Sequence, residues 1–332
     1  MEKEDKGEKS EMVAIAIQEF LSASKLPVDI YVRLSEEKYI QLAKAGETVP
    51  TDRLESYSEK KIKELYVKKD EYSRYLEQHL NIAGIIIKKQ EIHGARKSTI
   101  TSQAAKAVFK EMEGAGISSE AFHHAQEVTK VTIGLVESQT SLAELMEGLN
   151  SCSDLLVAHS IAVSAVSVMI ARHLEWTQKG TIEKLALGGL LHDIGKKELP
   201  KELFSKQRSE MSFEDVQLYE SHSQRGLQIL TSLRIVPEDI LAIVHEHHET
   251  AFGQGYPRKL RLRQMHPLAQ VVALANSYCD LTLPHPLNPS ARAPAEAIYH
   301  IETTLGQPYS LEHFNALKKL LGLYKKGAKK AS

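Results

Sequence analysis

The chain has 332 residues, of which 42% are hydrophobic and 26% charged, and its net charge is −1. That length allows two domains that each bury a core, and that balance gives no global attraction to a nucleic-acid polymer or an anionic membrane. No apolar run approaches the roughly 20 residues needed to cross a bilayer: "IAGIII" (82–87) is too short, and "MEKEDKGEKSE" lacks the basic-then-apolar layout of a signal peptide. Cys152 and Cys279 make no disulfide framework and are expected to be reduced thiols in a cytoplasmic protein without membrane insertion.

Residues 1–12 are expected to be a disordered charged tail. From 13 to 92 the periods mix, which predicts a small α/β domain with a sensor or partner role and no catalytic constellation. "VDIYVRL" (28–34) alternates like a half-buried strand, and "SEEKYIQLAKAGE" (35–47) reads as a helix capped at Ser35 and stopped at Gly46. "ELYVKK" (64–69) is a second short strand and "DEYSRYLEQHL" (70–80) a second helix, while Lys60, Lys61, Lys63, Lys68 and Lys69 read as a solvated face. From 93 to 145 a helical linker is expected, broken at Gly114 and Gly116, with His123 and His124 on a helix surface or between domains. From 146 to 325 nearly everything reads as helix. The predicted segments are 160–174, 182–195, 212–232, 237–249, 266–281 and 293–304, with Gly195 as a helix stop and a basic tail at 326–332. The fold class is therefore mostly α, an all-α C-terminal bundle with a small N-terminal α/β domain.

Polar groups recur through this helical half. His159 opens an apolar helix; His192 and Asp193 close a buried one; His222 follows in "YESHSQRGLQIL"; His247 and His248 precede "GQGYP". An Asp at the end of a wholly apolar helix buries a charge, which is costly unless compensated, and a divalent cation is a natural compensation. A carboxylate can bridge two ions. His247 and His248 differ by about 100° around a helix, so they suit two neighbouring ions, or an ion and a substrate. Two metals about 3.5–4 Å apart activate water and clamp the oxygens of a phosphodiester. Nitrogen and oxygen donors without thiolate suit iron, manganese or zinc. Lys196 could neutralise a phosphate, or act only as a cation at a helix C-terminus.

With "LLHDIGKKELP" (190–200), His222 in "HSQRGLQIL", "HHETAFGQGYP" (247–257), "VVALANSYCDLT" (271–282) and "PAEAIYHI" (294–301), the chain resembles the HD-GYP proteins. Those are bacterial metal-dependent phosphodiesterases of cyclic di-GMP, built on a helical bundle. The resemblance implies metal ligation by His159, His192, Asp193, His222, His247 and His248, with Asp193 as the bridge and the catalytic carboxylate. It implies that Lys196 contacts the substrate phosphate and that Gly253, Gly255, Tyr256 and Pro257 form a loop bordering the ligand. The chain also departs from the pattern. Asn276 stands where the family has its last metal-binding Asp, Leu155 where a third metal would find a glutamate, Phe252 at a loop aspartate, and "LPHPLNP" with His285 where an arginine is usual. Asp280, four residues beyond Asn276, could replace the lost carboxylate only through a helix shift. The expectation is two divalent ions, iron or manganese, and a cyclic dinucleotide substrate. Protein partners would bind through the N-terminal domain or the loop. The alternative is a degenerate module that binds metal or nucleotide and signals through protein contacts.

Overall fold

A computed structural model describes residues 11–20, 25–36, 38–47, 56–57, 62–114, 117–138, 140–150, 152, 154–284 and 291–324. Lys60, Lys61, Gly116, His285, most of the N-terminal tail and the basic C-terminal tail lie outside the described residues. The contacts divide the chain into two compact units, Met1–Ile82 and Ala83–Ser332.

The first unit carries strands β1 (Met12–Ala16), β2 (Ile30–Ser35), β3 (Lys38–Ala43) and β4 (Glu64–Lys68) in one antiparallel sheet of order β1-β4-β2-β3. Alternation places Ile15, Ile30, Val32, Leu65 and Val67 on the buried side. Helix α1 (Lys69–Ile87) follows directly, and Tyr72, Tyr75 and Leu76 are buried on it. Two expectations are corrected here. The segment 35–47 is not a helix: Ser35 pairs with Lys38 and Tyr39 with Arg33, so 35–43 turns back as a hairpin. The cross-strand partners, including the Tyr39 ring against Tyr66 at 5.1 Å, override a weak helical propensity. β1 also begins inside the expected disordered tail, since Met12 pairs with Lys68.

The second unit is helical: α2 (Gly94–Gly114), α3 (Ser119–Glu137), α4 (Leu142–Asn150), α5 (Leu155–His173), α6 (Lys179–Leu191), α7 (Phe213–Glu220), α8 (His222–Ser232), α9 (Glu238–Glu246), α10 (Pro267–Thr282), α11 (Pro294–Tyr299) and α12 (Leu311–Leu320). The stretch expected as a linker packs into this unit, with α2 and α3 against α5 and α3 also against α6. His124 is accordingly buried within the helical unit, with Nδ1 2.8 Å from Glu111 Oε2, and is not a surface group. The expectation that no apolar run approaches spanning length is also corrected: helix α5 is long and apolar enough to cross a membrane, with mean hydropathy 1.8, yet 78% of that window is buried inside the fold. It is the core helix, packed by α6, α10 and α12. Its capping residue is Asp154, which accepts from Val157 N at 3.1 Å. Helices α5 and α6 approach closely because small residues face each other. Ser164 Oγ donates to Ala186 O at 2.7 Å, and a Cβ on Gly189 would lie 2.8 Å from Ser164 Cα. That crossing fixes the end of α6, where His192 and Asp193 lead into a short 3₁₀ segment, Ile194–Glu198.

Candidate metal centre

The chain brings five histidines from four regions to one buried carboxylate. Asp193, 2% exposed, is shared by two groups whose donor atoms lie within 4.8 Å of one another: His159, His192 and Asp193, and Asp193, His222, His247 and His248. Asp193 Oδ2 lies 3.2 Å from His192 Nε2 and accepts from Lys196 Nζ at 2.5 Å. Its Oδ1 faces His222 Nε2 at 3.3 Å and His247 Nε2 at 3.6 Å. Burial pushes the Asp193 carboxyl up, but His192 and the Lys196 ammonium outweigh it and hold the group well below the usual carboxylate range. Burial also works against the charge on Lys196, and Asp193, Tyr219 and Asp280 reverse that and raise it above the ordinary lysine value.

Backbone carbonyls set the histidine tautomers. His192 Nδ1 donates to Gly189 O at 2.8 Å, His222 Nδ1 to Tyr219 O at 2.6 Å and His247 Nδ1 to Val244 O at 2.8 Å. A carbonyl oxygen can only accept, so each Nδ1 carries a proton, and in the neutral ring, the form that binds metal, Nε2 presents the lone pair. Those lone pairs converge on Asp193, and His222 Nε2 stands 3.2 Å from His247 Nε2. With both rings neutral in that tautomer, two lone pairs face each other across this distance, and a cation between them relieves the repulsion. His192 Nε2, His248 Nε2 and Asp193 Oδ1 are buried with no hydrogen-bond partner. Unpaired acceptors converging in a buried site are what a cation satisfies. The donor set therefore fits a metal. Burial holds His159 and His247 below the ordinary histidine value and His248 well below it, which keeps the ligand form dominant.

His159 Nε2 lies 2.8 Å from Asn276 Oδ1 and 3.9 Å from Asp193 Oδ2, so Asn276, buried on α10, belongs to the cluster. Lys196 reaches across to the Tyr219 ring at 5.7 Å. A cavity of about 820 Å³ opens beside these groups and is lined by His159, Asp193, Lys196, Tyr219, Phe204 and Asp280 among others. Its volume falls within the roughly 300–1,000 Å³ of small-molecule sites. Apolar walls come from Met112, Leu149, Leu155 and Leu283.

The glycine loop sits on the histidine side, and none of its four expected residues lines that cavity. Tyr256 stacks on His248 with ring centroids 4.5 Å apart and meets His222 edge-on at 6.1 Å. Gly253 adopts a left-handed φ of +73°, and a Cβ on Gly255 would lie 2.3 Å from His248 O. Pro257 is exposed. Sequence reasoning missed the residues that hold this loop. Glu249 accepts from Arg258 N at 2.7 Å and Leu260 N at 2.8 Å, and Glu246 accepts from His266 N at 2.7 Å. The acids flanking "HH" in "EHHE" were the available signal. Tyr219 was missed as well. Gly195, expected as a helix stop, is instead a contact point: a Cβ there would lie 1.9 Å from His222 O.

A family model described as HD domain matches residues 143–309. The cyclic di-GMP phosphodiesterase PA4108 of Pseudomonas aeruginosa is 27% identical over 246 residues, 74% of this chain and 58% of that protein. A cyclic di-GMP phosphodiesterase of Thermotoga maritima is 30% identical over 55% of this chain and 50% of its own length. The 3'3'-cGAMP-specific phosphodiesterase 1 of Vibrio cholerae is 29% identical over 46% of this chain and 35% of its own length. The chain thus spans between about a third and three fifths of these relatives. Among solved structures, Bd1817, a HDG"Y"P protein from Bdellovibrio bacteriovorus, shares the fold with a TM-score of 0.70 at 23% identity, over 94% of this chain and all of that one.

Proposed function

The chain belongs to the HD-domain family, and from that premise we propose that it is a metal-dependent phosphodiesterase acting on cyclic di-GMP or a related cyclic dinucleotide. The observation that carries this reading is the pair of donor clusters sharing Asp193 at the edge of an 820 Å³ cavity. We assign one ion to His159, His192 and Asp193, with the Asn276 amide beside it, and a second to Asp193, His222, His247 and His248. Iron or manganese suits such nitrogen and oxygen donors. When bound, two ions supply Lewis acidity and an acidified water for in-line attack on a phosphodiester.

The chain's own residues do the rest. Asp193 keeps its negative charge between the two donor groups. Lys196, whose charged form Asp193 favours and which faces the cavity, balances charge on a non-bridging phosphate oxygen. Tyr219 and Phe204, 6.3 Å apart edge-on, give the cavity an aromatic wall on which a nucleobase can stack. Tyr256 fixes the orientation of His248. The exposed Phe252 at the loop tip offers a contact for a protein partner. The unpaired Cys152 and Cys279 suit a reducing cytoplasmic setting.

One observation favours a second reading, a module that binds metal and nucleotide without turnover: the neutral Asn276 stands against His159 where a carboxylate ligand is expected. The test is hydrolysis of cyclic di-GMP and of 3'3'-cGAMP by protein loaded anaerobically with iron or with manganese. Metal-dependent appearance of linear dinucleotide supports the enzyme. Stoichiometric metal with no product from either substrate leaves only the second reading.

A further inference from the structure

Three of the five clustered histidines share one device. His192, His222 and His247 each donate Nδ1–H to the carbonyl three residues earlier, at 2.8, 2.6 and 2.8 Å. Each carbonyl fixes the tautomer and aims Nε2 at Asp193. His159 is built differently. Its Nδ1 faces a side chain, Asp280 Oδ1, at 3.6 Å, while its Nε2 stands 2.8 Å from Asn276 Oδ1, an acceptor. Nε2 therefore offers a lone pair to a metal only once the proton sits on Nδ1, the side that Asp280 faces. At 3.6 Å the contact with Asp280 is electrostatic, longer than a hydrogen bond.

Asn276 and Asp280 lie four residues apart on α10, one turn along the same face. The His159 ring is set between them and the bridge. Charge points the same way. The two donor groups contain one carboxylate, Asp193, because Asn276 is neutral. Two dications held by five neutral imidazoles, an amide and one carboxylate are undercompensated. Asp280 lines the cavity together with His159, Asp193 and Lys196, with half of its side chain exposed.

We propose that Asp280 is a positioning carboxylate for the metal centre: through its charge, where the other three histidines have a carbonyl hydrogen bond, it favours the proton on His159 Nδ1, and it supplies, one turn further along α10, the negative charge that Asn276 lacks. The sequence suggested that Asp280 could serve only by a helix shift. No shift is needed if it acts through His159 rather than as a ligand. The inference rests on the metal-dependent reading above and goes further, to a residue outside both donor groups.

Removing such an outer carboxylate typically costs 10–100-fold in metal affinity. The experiment is manganese titration of the full chain by calorimetry, with metal counted after dialysis, for the wild type, Asp280→Asn, and Asp280→Asn combined with Asn276→Asp. In Asp280→Asn, affinity for one ion is expected to fall about 10–100-fold with the other unchanged. The melting temperature of the chelated protein should not move. The double variant, its carboxylate moved back one turn, should recover the lost ion. Equal affinities in wild type and Asp280→Asn overturn the inference alone. A parallel fall in the melting temperature of the chelated protein reassigns Asp280 to folding and overturns it too. So does failure of Asn276→Asp to restore binding. Wild-type protein that takes up no manganese, or takes it up without hydrolysing either dinucleotide, counts instead against the phosphodiesterase reading.

Discussion

The two oxygens of Asp193 face different neighbours, and its substitutions separate accordingly. Oδ2 is held by Lys196 at 2.5 Å, and Oδ1 points between His222 and His247. Asp193→Ala removes the shared donor and leaves Lys196 without its nearest counter-charge. Breaking one side of a buried ion pair costs about 3–5 kcal/mol. Metal content should fall to zero and the melting temperature should drop, as read by elemental analysis and calorimetry. Retention of metal in that variant would remove the bridge from the proposal. Lys196→Met tests the other partner. With the ammonium gone, hydrolysis should fall about 10²–10³-fold, the usual cost of one charge-stabilising group. Metal content should hold, because a dication can replace the lysine as the counter-charge of Asp193. The chelated form of this variant should melt well below wild type while the manganese-loaded form loses less. Equal losses in both forms would show that Lys196 and metal do not share Asp193.

Elements explain which parts of this arrangement could be read from residues alone. The amphipathic and all-apolar helices were legible because their period survives any tertiary context. Asp193 stood out because a charge at the end of an apolar helix demands compensation, whereas the assignment of His159, His192, His222, His247 and His248 to the same site came from the family resemblance. The hairpin at 35–43 was not legible, since strand pairing with β2 decided it against local propensity. Nor was the break between α7 and α8, expected as one helix over 212–232. There Ser221 Oγ donates to Leu218 O at 2.6 Å and His222 Nδ1 donates to Tyr219 O, so side chains take carbonyls out of the ladder. Gly195 shows the same limit. Gly195→Ala would drive a methyl into the His222 carbonyl and to 2.5 Å from Gly226 N, backbone atoms that cannot swing aside. A loss of about 1–3 kcal/mol is expected, with weakened metal binding at His222 seen by titration. An Ala variant of unchanged stability would mean that the 3₁₀ segment and α8 are loosely docked. In α1, His79 lies against Tyr75 with ring centroids 4.3 Å apart, and burial lowers its pKa to about 4. The folded value is below the unfolded one, so stability is intact above about pH 6.5 and declines as pH falls toward about 4. His79→Leu should flatten that decline in urea melts. An unchanged pH profile in the variant would assign the acid sensitivity elsewhere.

For the whole molecule, the division into Met1–Ile82 and Ala83–Ser332 separates the sheet from every proposed ligand. The matched family region begins at residue 143, yet Met112 and Ile117 line the cavity, so the preceding helices belong to the same functional unit. Metal binding should therefore stabilise α2 through α12 and leave β1–β4 as they were. The chain carries a single tryptophan, Trp176, whose ring meets His313 of α12 edge-on at 6.0 Å, so its fluorescence reports on the helical unit. A ligand at 100 times its Kd adds about 2.7 kcal/mol to the state that binds it. For a unit of this size that corresponds to a rise in Tm of roughly 5–10 °C. Manganese should produce that shift in the Trp176 transition, and a chelator should reverse it. Hydrogen exchange should slow at α5, α6, α8 and α9, which carry or abut the ligands, and stay unchanged in the sheet. Asp193→Ala provides the control: if its Trp176 transition rises equally with manganese, the stabilisation comes from nonspecific binding at other sites and the shared-carboxylate centre fails.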